Sequence, residues 1–95
     1  MRSENESIIE AAAAAVQARS PLDPHVSAPE NWREIDLQYD GQLVVRLRPA
    51  GDDTTSVEVF AWGDLVASEI LRRYKSAEHL AELVEDVHRR AIERA

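Results

Sequence analysis

From Leu37 to Trp62 the chain alternates apolar and polar residues over long stretches, most regularly in "LVVRLR" (Leu43–Arg48) and "SVEVFAW" (Ser56–Trp62). A period of two is the signature of a strand whose side chains go alternately to opposite sheet faces. It constrains this chain more than any other feature. Leu43, Val45 and Leu47 share one face, and Val57, Val59 and Ala61 line up opposite Leu47, Val45 and Leu43, so an antiparallel pair buries one continuous apolar face.

The run "EIDLQYDG" (Glu34–Gly41) supplies a third strand, and Asp40-Gly41 marks the turn after it. A two-residue turn would pair Leu37 with Val44 and set Leu43, Val45 and Leu47 on one face with Asp36 and Gln38. A three-residue loop over Tyr39, Asp40 and Gly41 instead pairs Gln38 with Gln42, Leu37 with Leu43 and Ile35 with Val45. A slip of one residue exchanges the faces, so the apolar pattern selects the three-residue loop, with Gly41 at positive φ. The even face then carries four rows: Trp32, Arg48 and Ser56; Glu34, Arg46 and Glu58; Asp36, Val44 and Phe60; Gln38, Gln42 and Trp62. Arg46 falls between two carboxylates. Val44, Phe60 and Trp62 form an apolar corner on an otherwise polar face.

Before the strands, Ser3-Glu4-Asn5-Glu6 matches a capping box, and Ile8, Ile9, Ala12, Ala15 and Val16 follow at helical spacing until Ser20-Pro21. The stretch from Ser20 to Asn31 holds three of the four prolines and reads as an extended tether. Beyond the strands, Asp64 is a candidate N-cap for a helix from Leu65 to about Tyr74, with Val66, Ile70, Leu71 and Tyr74 as its buried stripe. Ser76 caps a second helix whose Leu80, Val84, Val87 and Ala91 share a face. Across its outer side Glu85-Arg89, Arg89-Glu93 and Asp86-Arg90 are spaced for ion pairs.

The expected architecture is α+β: an N-terminal helix, a three-stranded antiparallel meander and two C-terminal helices packed on one sheet face. It forms a single domain over residues 1–95, with the first helix in 1–19, the tether in 20–31 and a β-β-β-α-α body in 32–95. At 95 residues one core forms with little margin, and with no cysteine neither disulfides nor thiolate metal sites supplement it. No apolar run reaches a membrane span and no secretory signal is visible, so the expected location is cytoplasmic. The arginine bias, with Lys75 the single lysine, suggests a prokaryotic source.

Catalytic signals are weak. Glu85-x-x-His88 has the spacing of a helical di-metal ligand pair, with His79, Glu82 and Asp86 alongside, but no second helix brings matching ligands. His25 lies in the tether, the serines lack a nucleophile elbow, and Gly41, Gly51 and Gly63 are too scattered for a phosphate loop. We therefore expect no catalytic residue, metal, cofactor or small-molecule ligand. A net charge of −7 also argues against a nonspecific nucleic-acid binder. Helix, three strands, helix is the element order of double-stranded-RNA-binding domains too, but "GDLVASE" is acidic where those domains are basic.

These readings point to a protein that acts through protein contact, as a homodimer or as an accessory or regulatory subunit. The expected interaction residues are Ile8, Ile9, Val44, Phe60 and Trp62, with the first helix covering the apolar corner of its own chain or of a second copy. The alternatives are a nucleic-acid-associated regulator using Arg72, Arg73, Lys75 and the C-terminal arginines, and a non-catalytic subunit of an enzyme complex.

Overall fold

A computed structural model describes residues 4–27 and 34–94. Two helices, α1 (Glu4–Arg19) and α2 (Ala77–Arg94), flank five strands in sequence: β1 (His25–Ser27), β2 (Ile35–Tyr39), β3 (Leu43–Gly51), β4 (Thr54–Ala61) and β5 (Asp64–Arg72). The strands form one antiparallel sheet in the order β1-β2-β3-β4-β5. The α+β class is as expected, but the expected three strands and two C-terminal helices are replaced by five strands and one C-terminal helix. The expected Ser3 cap and Trp32 of the even face lie outside the described residues.

The β3–β4 ladder has the register that alternation dictates, with Leu43 opposite Ala61, Val45 opposite Val59 and Leu47 opposite Val57. Between β2 and β3 the loop has three residues, but they are Asp40, Gly41 and Gln42. Tyr39 opposes Leu43, Leu37 opposes Val45 and Ile35 opposes Leu47. The ladder thus slides by two residues from the expected pairing, which leaves every side chain on its expected face. Gly41 (φ 81) and Gln42 (φ 65) carry the reversal. The slide keeps Tyr39 in the strand, where its ring meets His88 of α2 with centroids 4.4 Å apart.

The largest correction concerns residues 64–72, expected as a helix and observed as β5. Trp62-Gly63 is a two-residue hairpin loop closed by Ala61 opposite Asp64, and both corners have positive φ, 55 and 85, as a type I′ turn requires. That turn returns the chain along β4. Ala67, Glu69 and Leu71 then face the helices, opposite Val59, Val57 and Thr55. Of the stripe expected for a helix, Leu71 and Tyr74 are buried, whereas Val66 and Ile70 are exposed. A bulge between Val59 and Phe60 sets Leu65 opposite Phe60 and leaves Val66 as the extra residue. The tether is also partly ordered as a strand: Val26 of β1 opposes Leu37, and His25 opposes Gln38.

Both helices lie on the odd face. Ile9, Ala12, Ala13 and Val16 of α1 and Leu80, Ala81, Val84, Val87 and Ala91 of α2 join Leu37, Val45, Leu47, Val57 and Val59 in one core. Alanines 12 and 13 are fully buried, and their small side chains permit the close approach of the helices. Arg19 at the end of α1 reaches Glu85 of α2 at 3.0 Å, so Glu85 pairs across helices and not with Arg89. Ser76 caps α2 as expected, its Oγ accepting from the His79 amide at 3.1 Å.

One polar cluster sits inside. Asn5, 2% exposed, donates from Nδ2 to the carbonyls of Gly51 (2.8 Å) and Thr54 (3.0 Å), which clamps the first turn of α1 to the β3–β4 turn. The Tyr74 hydroxyl donates to Asn5 Oδ1 and accepts from Thr55 Oγ1 at 2.9 Å. Each polar atom so placed has a partner, which removes the cost of burying it.

Candidate interaction surface

With both helices on one side, no helix among the described residues lies over the even face of the sheet. Three rows cross it: His25, Gln38, Val44, Phe60 and Leu65; Ser27, Asp36, Arg46, Glu58 and Ser68; and Arg48, Ser56 and Ile70. Its chemistry changes from one edge to the other. Across β2 and β3 it is an ion-pair lattice, in which Arg46 Nε lies 2.8 Å from Asp36 Oδ1 and 3.4 Å from Glu34 Oε2. Arg48 Nε reaches Glu34 Oε2 at 3.0 Å and its Nη2 lies 3.6 Å from Glu58 Oε1. The expected carboxylates beside Arg46 were Glu34 and Glu58; the two-residue slide of β2 adds Asp36 as its main partner.

Toward β4 and β5 the face turns apolar. Val44 and Phe60 are half-buried, while Leu65 and Ile70 are 53% and 50% exposed. The Arg46 guanidinium lies over the Phe60 ring, 5.1 Å from its centroid, and marks the boundary between the two halves. A hollow of about 420 Å³ opens there, lined by Asp36, Gln38, Gln42, Val44, Arg46, Phe60 and Gly63.

Trp62 stands at the rim of this region and is 76% exposed. It occupies the first corner of the type I′ turn at φ 55. Asn, Asp and Gly are the residues that suit that corner, and a bulky side chain held there costs on the order of 1 kcal/mol or more. An indole fixed in a strained turn and turned to solvent gives the fold nothing in return. It gives a partner a large amphipathic contact.

The expected interaction residues therefore divide. Val44 and Phe60 are paired on the open side of β3 and β4, while Trp62 lies in the β4–β5 turn, exposed. Ile9 is buried in the core and Ile8 packs against it, because α1 lies on the opposite face from the apolar corner. Leu65, Val66 and Ile70 were missed, since a helix reading had assigned Val66 and Ile70 to the interior.

Elsewhere, a cleft of about 580 Å³ lies between the end of α1, Tyr39 and α2, lined among others by Arg19, Ser20, Leu22, Glu85, His88 and Arg89. His88 is 7% exposed and its Nε2 is buried without a hydrogen-bond partner among the described residues. Burial holds its pKa below the ordinary value. The Tyr39 phenol is pushed up to about 12 by burial and then by the Glu85 carboxylate. Ser20 Oγ accepts from the Leu22 amide at 3.2 Å. Arg89 is engaged by Asp86 and by Glu93 at 3.5 Å. Hydrogen bonds from Arg89, with the charge of Arg90, hold the Asp86 carboxyl below the usual range.

The Glu85-x-x-His88 spacing does not become a ligand pair, since His88 stacks on Tyr39 and Glu85 pairs with Arg19. Among the described residues no three His, Asp or Glu side chains group to hold a metal ion, and no helix is long and apolar enough to cross a membrane. Arg72 ends β5, and Arg73 and Lys75 lie in the connection to α2. They precede the N-terminus of α2, not a helix C-terminus.

No protein-family model, curated protein or solved structure matches this chain.

Proposed function

We propose that this protein works through protein contact, using the β4–β5 side of its open sheet face. The observation that carries the reading is Trp62, exposed and held at positive φ beside the Phe60–Leu65 pair. Exposed apolar residues scattered singly need no explanation; a row of Val44, Phe60 and Leu65 with a strained, exposed tryptophan in the adjoining turn is the kind of grouping that marks a contact. The ion-pair lattice around Arg46 gives the patch a charged rim, which sets orientation more than strength. No arrangement of side chains in the cleft beside α2 favours a catalytic reading over this one.

The test is a pair of substitutions on the surface. Leu65→Ser and Trp62→Asn keep the core intact and remove apolar area from the patch. Cross-linking with mass spectrometry on wild-type protein at micromolar concentration, alone and in extract of its host, should map contacts to residues 60–70. Both variants should lose them while keeping the wild-type circular dichroism spectrum. Contacts that map to the helical side, and persist in both variants, would contradict the reading.

A further inference from the structure

We infer that the partner at this surface is a second copy of the chain, joined by antiparallel pairing of β5 with β5 about a two-fold axis at Ser68. This rests on the contact reading above and specifies its occupant.

The two edges of the sheet differ sharply. Among the described residues the β1 edge is three residues long, and a short edge is a poor template for pairing. The β5 edge runs nine residues, Asp64–Arg72, with no lysine and no proline, and among the described residues no strand pairs with its outer side. A long edge of that composition is a ready template for another strand. The bulge at Leu65 and Val66 disturbs only its first residues.

The sequence of β5 is complementary to itself. Antiparallel pairing about a two-fold axis requires the axis to be perpendicular to the sheet, so the open faces of both copies lie on the same side and directly opposed residues share a face. Beyond the bulge Leu65, on the open side, shares no face with Leu71, so an axis at Ser68 brings Val66–Ile70 of the two copies into register. It sets Ala67 against Glu69 of the other copy on the helical side, and Val66 against Ile70 on the open side. The acidic start of each strand, Asp64, then runs beside the basic end of the other, Arg72 and Arg73.

Neighbouring registers are worse. An axis at Glu69 opposes two carboxylates, and one at Ala67 sets Leu65 against Glu69. Shifts by one further residue shorten the overlap. The Ser68 register also resolves the isolation of Ile70, which Ser68 and Glu58 separate from Phe60 and Leu65 within one chain. In the pair, each Ile70 reaches the Val66, Leu65 and Phe60 corner of the other copy, so two half-formed apolar patches complete each other.

The chain contains no cysteine, so one introduced at Ser68 reports directly. Residues opposed in an antiparallel pair have Cα atoms about 4.5 or 5.5 Å apart, both within the span a disulfide bridges. In full-length protein under mild oxidant, Ser68→Cys should convert to a disulfide-linked dimer. Ser56→Cys, on the same face but on the inner strand β4, should not. Sedimentation should give the unsubstituted chain twice its monomer mass at micromolar concentration. Ser68→Lys, which opposes two like charges at the axis, should return it to single mass while keeping the wild-type circular dichroism spectrum.

A wild type of single mass with no Ser68→Cys cross-link overturns self-pairing. If cross-linked contacts to another protein still map to residues 60–70 in that case, the contact reading stands and only its occupant is wrong. A dimer that neither cross-links through Ser68→Cys nor dissociates with Ser68→Lys overturns the β5 pairing.

Discussion

The Tyr74 hydroxyl donates to Asn5 Oδ1 across 69 residues of sequence, and both side chains are buried. Because that proton is committed to Asn5, the bond between Tyr74 and Thr55 must run from Thr55 Oγ1 to the tyrosine oxygen. The network thus joins the first turn of α1, the start of β4 and the segment after β5. Tyr74→Phe leaves Asn5 Oδ1 and Thr55 Oγ1 without their shared partner in a buried place. The expected loss is about 1 to 3 kcal/mol in chemical denaturation, because an orphaned buried group costs its full desolvation. A change within about 0.5 kcal/mol, the range of an ordinary surface substitution, would show that water reaches the cluster.

Trp62 supplies a prediction of the opposite sign. Trp62→Asn places a residue that tolerates positive φ in the first corner of the type I′ turn, followed by Gly63 at φ 85. Stability should rise by about 1 kcal/mol. Contact at the β4–β5 side should weaken at the same time, so a stability gain with no loss of contact would separate the turn from the interface.

Gly41 carries φ 81 with no atom near enough to crowd an added Cβ. The cost of Gly41→Ala is therefore conformational alone, about 1 kcal/mol. A thermal scan that shows no loss would mean that the β2–β3 loop relaxes to another turn.

Acidification tests the burial of His88. Its folded pKa lies below the ordinary 6.5 because burial disfavours the charged ring. Between the two values the unfolded chain binds more protons, so stability falls as pH falls. The contribution is fully present above about 6.5 and is lost below it, toward the folded value. From about pH 7.5 to about pH 5.5 the wild type should lose stability more steeply than His88→Leu. His25 and His79 remain in both proteins and cancel in the comparison. Equal slopes would place His88 in contact with water.

How far the fold was legible follows from where local pattern was decisive. The β3–β4 register could be read because a slip by one residue would exchange Leu43, Val45 and Leu47 with Val44, Arg46 and Arg48. The β2 register was readable only modulo two, since a slide of two residues keeps all faces and the choice falls to tertiary contacts such as Tyr39 on His88 and Asp36 on Arg46. Residues 64–72 were misread because Val66, Ile70, Leu71 and Tyr74 satisfy a helical stripe, and because tryptophan is not a residue that announces a type I′ turn. Long-range pairing with β4 then overrode local preference.

The position of α1 was not legible either. Alanine-rich helices show no strong face, and Asn5, which ties the first turn of α1 to the β3–β4 turn, is polar and lies outside the apolar pattern. Of the candidate surface, the pairing of Val44 with Phe60 on the even face follows from alternation alone. Leu65 and Ile70 could enter the surface only once β5 was a strand.

Amide hydrogen exchange along Asp64–Arg72, followed over a range of protein concentrations, tests the contact surface most directly. Alternate amides of an edge strand point away from the sheet and exchange freely unless something pairs with them. The account predicts that these outward amides of β5 become protected as concentration rises, while those of the short β1 edge do not change. Outward β5 amides that exchange at the rate of an open edge at every concentration would contradict it.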